Sequence, residues 1–288
     1  GVVALLSRFF VAMSLALMVA CGGGGGSSQP APVPVDNSSG SSGGGGSTNP
    51  PPAPPEPLEL KEMLGNELAL DVTRFLTQAT FGPTESEIKA LYESSGDFKT
   101  WIDDQVAVAP SRILEGLDAH MQASGLDPLN KRNLELDWQK RMLMSDIFRE
   151  RFVHGEDQLR QRVAFALSQI FVISDLSDAL FNDARGIANY HDIMTEHAFG
   201  NYRDLLEAVT LNPMMGEYLS MVRNEKTDVS RNIRPDENYA REMMQLFTIG
   251  LVELNDDGTV RLDGDGNPIP TYDQEITKAF ASVFTGWM

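Results

Sequence analysis

Cysteine is almost missing from this chain. Cys21 stands alone among 288 residues, so the four histidines have no cysteine partners for a zinc or redox site. Those histidines are His120, His154, His191 and His197; none forms HExxH, and His191 and His197, six apart, point to different helix faces. Glu150 and His154 share one face at i, i+4, but two ligands fall short of the three or four that zinc takes. GxSxG, a P-loop and a glycine fingerprint behind a strand are also missing, so no standard hydrolase or nucleotide site is recognisable. Basic residues are scarce. With 23 Lys and Arg against 41 Asp and Glu the formal charge is −18, and the first 50 residues hold one Arg and one Asp, so the excess acidity lies in the folded part. That sign argues against nucleic acid as a partner and against the body adhering to an anionic leaflet; it reads as ordinary solubility.

Long apolar runs are missing too. A membrane-spanning helix needs ~20 apolar residues, whereas the run from Phe9 to Ala20 has 12, with Ser14 inside it and Arg8 ahead of it. Those are the dimensions of an export-signal core. Met18-Val19-Ala20-Cys21 resembles the bacterial lipobox, in which small residues precede a cysteine that is acylated and becomes the mature N-terminus; Met18 stands where leucine is usual. Two other readings stay open: a plain secretory signal with an incidental free cysteine, and an uncleaved anchor that adds Val2 to Leu6 and must place Arg8 within the bilayer. Acylation would remove the liability of a lone thiol in an oxidising compartment. Gly22 follows, where aspartate would resemble an inner-membrane retention signal, so the expected destination is the outer membrane or its periplasmic face. The chain begins with Gly1 and stops at Phe284-Thr285-Gly286-Trp287-Met288 without a terminating pattern, and the domain is expected to be incomplete at its C-terminal end.

Three regions are expected: a signal peptide over 1–21, a Gly/Ser/Pro tether over 22–57, and a helical domain over 58–288. The tether has almost no large apolar residue and cannot offset its ordering entropy; Pro50 to Pro55 should stiffen into polyproline II. Beyond it, helical periodicity dominates. Leu68, Val72, Phe75, Leu76 and Ala79 share one face of a first helix ended by Gly82-Pro83, and Thr84 with Glu87 makes a capping box for a second. Further helices are expected at 98–106, 133–149, from Asp157, at 183–199, 202–211 and 274–284, and from Pro235 to a stop at Gly250. A loop or short helix occupies 110–128. In the helix after Asp157 the apolar face holds Leu159, Val163, Ala166, Leu167, Ile170 and Phe171, and the polar face Gln158, Gln161, Arg162, Ser168 and Gln169. Only Leu251 to Tyr272 differs. Two β-type runs flank Asn255-Asp256-Asp257-Gly258, a hairpin signal. No internal repeat is visible. The fold class is mainly α: a single bundle-like domain of many helices with one β-hairpin near 251–272.

Four stretches taken together are familiar: TRFLTQATFGP from Thr73, QLRQRVAFALSQIFVI from Gln158, HAFGNYRDLLEAVTL from His197 and PDENYAREMMQLFTIGL from Pro235. Their order and spacing, with the closing FTGW, closely resemble the bacterial family catalogued as domain of unknown function 1800. The resemblance implies a longer domain than the one in hand. That family has no established activity and lends no catalytic residue. Its genes often lie beside those of a sulfatase-like family, which implies a shared exported pathway.

Asn238, Arg241, Glu242 and Gln245 lie at i, i+3, i+4 and i+7, a narrow polar stripe on an otherwise apolar helix. It faces either solvent or a polar seam; a seam is either a site or a packing network, with Glu242 paired to an arginine such as Arg160 or Arg162. Asp263, Asp265 and Asn267 alternate as at the start of a calcium loop, but Pro268 and Gln274 replace the glycine and the bidentate glutamate. An Asp-Gly turn is the better account, and no metal or cofactor is expected. Two functions follow. One is an envelope-anchored helical binding or scaffold lipoprotein, with the membrane as anchor and an envelope protein or glycan as partner. The other is an exported enzyme, a hydrolase of an envelope or extracellular polymer, using Glu242 and Arg241 with His191 or His197 as acid-base partner and Asn238, Gln245, Arg160 and Arg162 as binding residues.

Overall fold

A computed structural model describes residues 65–129, 134–177 and 179–287. The export segment, Cys21 and the tether lie outside the described residues. Within them the chain is mainly helical, as its periodicity predicts. Eleven α-helices follow in order: α1 (Glu67–Ala79), α2 (Glu85–Glu93), α3 (Phe98–Ala107), α4 (Ile113–Ala123), α5 (Leu134–His154), α6 (Gln158–Ser168), α7 (Ala184–Glu196), α8 (Tyr202–Leu211), α9 (Pro213–Tyr218), α10 (Asn238–Glu242) and α11 (Gln274–Ala281). No described helix is long and apolar enough to cross a membrane.

Short polar side chains start most of these helices by satisfying backbone N–H groups that lack an intrahelical acceptor. Asn66 caps α1, Asp97 caps α3, Asp183 caps α7, Asn201 caps α8, Asn212 caps α9 and Asp273 caps α11. Both halves of the Thr84–Glu87 capping box form at α2. Helix α4 is started differently. Its own preceding residue, Arg112, makes no capping bond, and the carboxylate of Asp192 on α7 accepts from the N–H groups of Ile113 (2.7 Å) and Leu114 (3.0 Å). One buried carboxylate thus fixes two helices against each other.

Helix α7 is the centre of the body, packing against α4, α5, α6, α8 and α9. Its buried residues, Ala184, Ile187, Ala188, Tyr190, Asp192, Met194 and Thr195, extend round much of its circumference, as befits a helix with neighbours on several sides. Tyr190 is fully buried and donates its hydroxyl proton to the carbonyl of Phe171 (2.9 Å), which satisfies a phenol that burial would otherwise penalise.

Helix α6 departs from the sequence reading. Its polar face is partly an inner one: Gln158 and Gln161 are buried, as is Arg160 beside them, while Phe165 is 38% exposed. The reason is the break between α5 and α6. The Gln158 amide donates to the carbonyls of Phe152 (3.1 Å) and Gly155 (2.8 Å) and accepts from Phe81 N–H, so it takes up groups that the end of α5 leaves unpaired. Asp157 sits at the cap position but makes no capping bond; it accepts from Ser111 N–H and from the Gln161 amide instead.

The helix expected from Pro235 begins at Asn238. Asp236 is held back by Asn224, whose side chain accepts from Asp236 N–H and donates to Asp236 C=O. From Met243 to Phe247 the chain widens into a π-turn, and Gly250, at φ +76°, ends the segment by donating to Met244 C=O. The π-turn breaks the register on which an α-helical stripe from Asn238 to Gln245 depends.

The hairpin expected at 251–272 is part of something more closed. Single antiparallel bridges join Leu254 to Val260, Leu262 to Pro268 and Pro270 back to Val252. At the middle of each segment Glu253 N–H donates to Ile269 C=O, Ile269 N–H to Arg261 C=O and Arg261 N–H to Glu253 C=O. Three short segments therefore close a ring with a spacing of eight residues, 253, 261 and 269 being equivalent. Its two tight corners carry Gly258 (φ +83°) and Gly266 (φ +84°) at matching positions, where glycine avoids the strain of a left-handed backbone. The absence of an internal repeat is thus corrected on the scale of eight residues.

Candidate functional site

Three helices present rows of same-face residues to one cleft. Helix α5 supplies Phe148 and Phe152, α6 supplies Gln161, Ala164, Phe165 and Ser168, and α7 supplies His191 and Thr195, each row at three- or four-residue spacing. With Ile113 and Gln169 they enclose about 250 Å³. A second cleft, of about 360 Å³, lies against Met144, Ser145, Ile173, Ser174, Asp175 and Ile187. Phe148 and His191 line both clefts and form the partition between them. Their rings meet edge to face with centroids 4.7 Å apart.

Aromatic packing holds the walls of the first cleft. Phe81 stacks on Phe152 (4.1 Å) and meets Phe165 edge-on (5.7 Å), and the Arg162 guanidinium caps the rings of Phe81 (5.2 Å) and Phe165 (5.7 Å). Phe165 keeps its exposure while being fixed in place by two rings and a cation.

Electrostatically the partition is quiet. Burial pushes His191 down to about 4, against a smaller opposing pull from Asp175, so the imidazole is neutral at pH 7. No described residue hydrogen-bonds to its ring. Next to it, burial pushes Asp192 up to about 6, even though the N–H groups of Ile113 and Leu114 favour its ionised form. Two adjacent residues of α7 thus both lean toward their uncharged forms.

The other residues singled out by sequence have different surroundings. Arg160 donates to the carbonyls of Val106 (3.0 Å), Val108 (3.3 Å) and Thr195 (3.3 Å) and lies over the Phe199 ring (4.7 Å). Arg162 donates to Gln78 C=O at 3.4 Å. Neither arginine pairs with Glu242, which corrects that expectation: α6 spends both on helix ends and aromatic faces. Glu242 keeps one buried carboxylate oxygen without a hydrogen-bond partner. Arg241 pairs with Glu237 (2.7 Å) and reaches Gln274 (3.5 Å), whose amide donates to the same Glu237 oxygen (2.7 Å). Asn238 is exposed with its backbone held by Asp236, and Gln245 is half-buried in the π-turn. His197 ends α7 as its C-cap. Neither Glu242, Arg241 nor His197 lines the two clefts with His191.

At the calcium-like sequence, Asp263 Oδ1 accepts from the N–H groups of Asp265 and Asn267, and these bonds hold its carboxyl below the usual range. The carboxylate is spent on the corner of the ring. Among the described residues no group of three or more His, Cys, Asp or Glu is placed to hold a metal ion.

Of the cleft residues, sequence reading selected only His191 for chemistry. Phe148, Phe152, Phe165 and Thr195 were missed, and Gln161, Ser168 and Gln169 appeared only as a polar face. The available signal was the pairing of phenylalanines at i, i+4 on α5 beside another on α6.

No curated protein and no solved structure matches the chain. A family model, described as a protein of unknown function (DUF1800), matches residues 74–288, which takes in every element that builds the clefts, and the chain belongs to that family.

Proposed function

We propose that the protein is an exported lipoprotein, acylated at Cys21 and tethered to the envelope by residues 22–57, whose helical body binds a ligand in the cleft at His191. One observation carries this: a partly buried imidazole, edge-on to Phe148, lines two clefts and hydrogen-bonds to no described residue. The ring lies between aromatic walls with its nitrogens not fully enclosed, so a ligand's polar group entering either cleft can pair with it. Among the described residues His191 is the one titratable group lining the first cleft, and it is neutral at pH 7. That lining favours binding over acid–base turnover. The detergent-solubilised full chain is expected to retain a ligand, a protein segment or glycan, from envelope extracts. His191→Ala and Phe148→Leu should each weaken retention by about tenfold, a loss of about 1.4 kcal/mol. Retention unchanged in both variants would remove the cleft from the proposal.

The anchor has its own test. Cys21→Ser should abolish lipid labelling, and globomycin should cause the precursor of the unaltered chain to accumulate. A mature N-terminus elsewhere, with an unmodified cysteine, would exclude the lipoprotein.

One observation favours the second function, an exported hydrolase: Ser145, Ser174, Asp175 and His191 all line the second cleft. These are the side-chain types of nucleophilic hydrolysis. Yet Asp175 is paired with Arg141 (2.8 Å), and no hydrogen bond joins either serine to His191. Stoichiometric fluorophosphonate labelling of either serine, lost in His191→Ala, would establish the enzyme; no labelling is expected.

A further inference from the structure

We infer that the two clefts are adjacent subsites of one groove for an uncharged glycan, with one sugar ring on each side of the Phe148–His191 partition. The inference rests on the cleft at His191 being a ligand site and adds which ligand fills it. At about 250 and 360 Å³ the clefts lie just below and just above the lower bound of the ~300–1,000 Å³ typical of ligand pockets, which suits one ring apiece.

The lining chemistry selects the ligand class. A sugar ring combines an apolar face of C–H groups with a rim of hydroxyls that both donate and accept. The first cleft answers both: phenyl rings for the face, and Gln161, Ser168, Gln169 and Thr195 for the rim. Gln161 is 2% exposed and its orientation is fixed, since its amide nitrogen donates to Ser111 C=O (3.0 Å) and Asp157 (3.0 Å). Its Oε1 accepts from no described residue and is left for a hydroxyl donor. In the second cleft Asp175 engages Arg141 through Oδ2, while Oδ1 accepts from no described residue.

Other ligand classes fit less well. Among the described residues no lysine or arginine lines either cleft, Arg141 beside the second is already engaged by Asp175, and the chain carries −18, so an anionic ligand finds little to neutralise it. A purely apolar group would leave Gln161 Oε1 and the imidazole without a partner on burial, at about 1–3 kcal/mol for each group, whereas the cleft hydroxyls already donate or accept within the protein.

The test is calorimetric titration of the detergent-solubilised full chain with glucose, cellobiose and cellotriose, and with the N-acetylglucosamine series of one to three residues. In the series that binds, the disaccharide should bind about tenfold or more tighter than the monosaccharide, and the trisaccharide no tighter than the disaccharide. Gln169→Ala, an exposed change in the first cleft alone, should weaken both monosaccharide and disaccharide. Ser174→Ala, in the second cleft alone, should bring disaccharide affinity down toward that of the monosaccharide and leave the monosaccharide untouched. Equal affinity for one and two rings, or a Ser174→Ala effect on the monosaccharide, overturns the two-subsite groove while leaving a ligand site at His191 intact. Binding of an apolar peptide but of no sugar overturns the glycan and keeps the cleft; loss of every cleft ligand overturns both.

Discussion

Replacing Arg160 with alanine is expected to cost about 3–5 kcal/mol of folding stability, read as a fall in the urea midpoint at unchanged m-value. Arg160 is 9% exposed, and its guanidinium reaches carbonyls at the ends of two helices: Val106 and Val108 where α3 finishes, and Thr195 at the end of α7. Those ends carry the negative poles of their helices, so a cation between them is favoured twice over. Removing it leaves three carbonyls without their donor and uncovers the Phe199 ring. Arg160→Lys should recover only part of the loss, because a single ammonium cannot span both helix ends as a planar fork does. A cost below about 1 kcal/mol for the alanine variant would show that water replaces the guanidinium freely.

The second large effect concerns pH and depends on two neighbours with opposite signs. His191 titrates at 6.5 in an ordinary environment and is pushed down to about 4 here. Between those values the unfolded chain holds the extra proton, so its contribution to stability is lost as pH falls. Asp192 titrates ordinarily at 3.8 and is pushed up to about 6, so between those values the folded chain holds the extra proton and stability is lost as pH rises. Across pH 4–6 the two slopes oppose each other. In His191→Phe, which keeps a ring against Phe148, stability should therefore fall by about 2 kcal/mol as pH rises from 4 to 6. In Asp192→Asn it should fall by about as much as pH drops from 6.5 to 4. Urea unfolding of both variants across this range measures the slopes. Slopes of the same sign would show that the two groups do not titrate as their burial requires.

Much of the helical order was legible because local chemistry enforces it. Asn201 and the periodicity of Leu205 and Val209 defined Tyr202–Leu211 to the residue, and Thr84 with Glu87 defined the start of α2. Where local signals are weak the reading blurred: α4 has no cap of its own and depends on Asp192, and α9 is only six residues long behind Pro213. The inward polar face of α6 was hidden for a related reason. Whether Gln158 and Gln161 face water or unpaired carbonyls depends on where α5 ends and where Ser111 lies, which periodicity does not encode. The cleft was less legible still, since Phe148 and Phe152 look like ordinary core residues until α7 brings across them an imidazole that bonds to no described residue. The eight-residue spacing of the ring was present as Val252 and Val260, Leu254 and Leu262, and Gly258 and Gly266. The third segment, with Pro268 and Pro270 at the matching positions, disguised it.

That ring also bears on how the molecule avoids its own kind. Leu254 and Leu262 are more than half exposed in extended segments, a composition that on an open strand invites pairing with a second chain. Here the backbone groups such pairing would use at 253, 261 and 269 are already engaged with one another around a closed circuit. Two prolines in the last segment remove further donors. The arm can display apolar side chains while leaving fewer free backbone groups on which an aggregate could begin to grow.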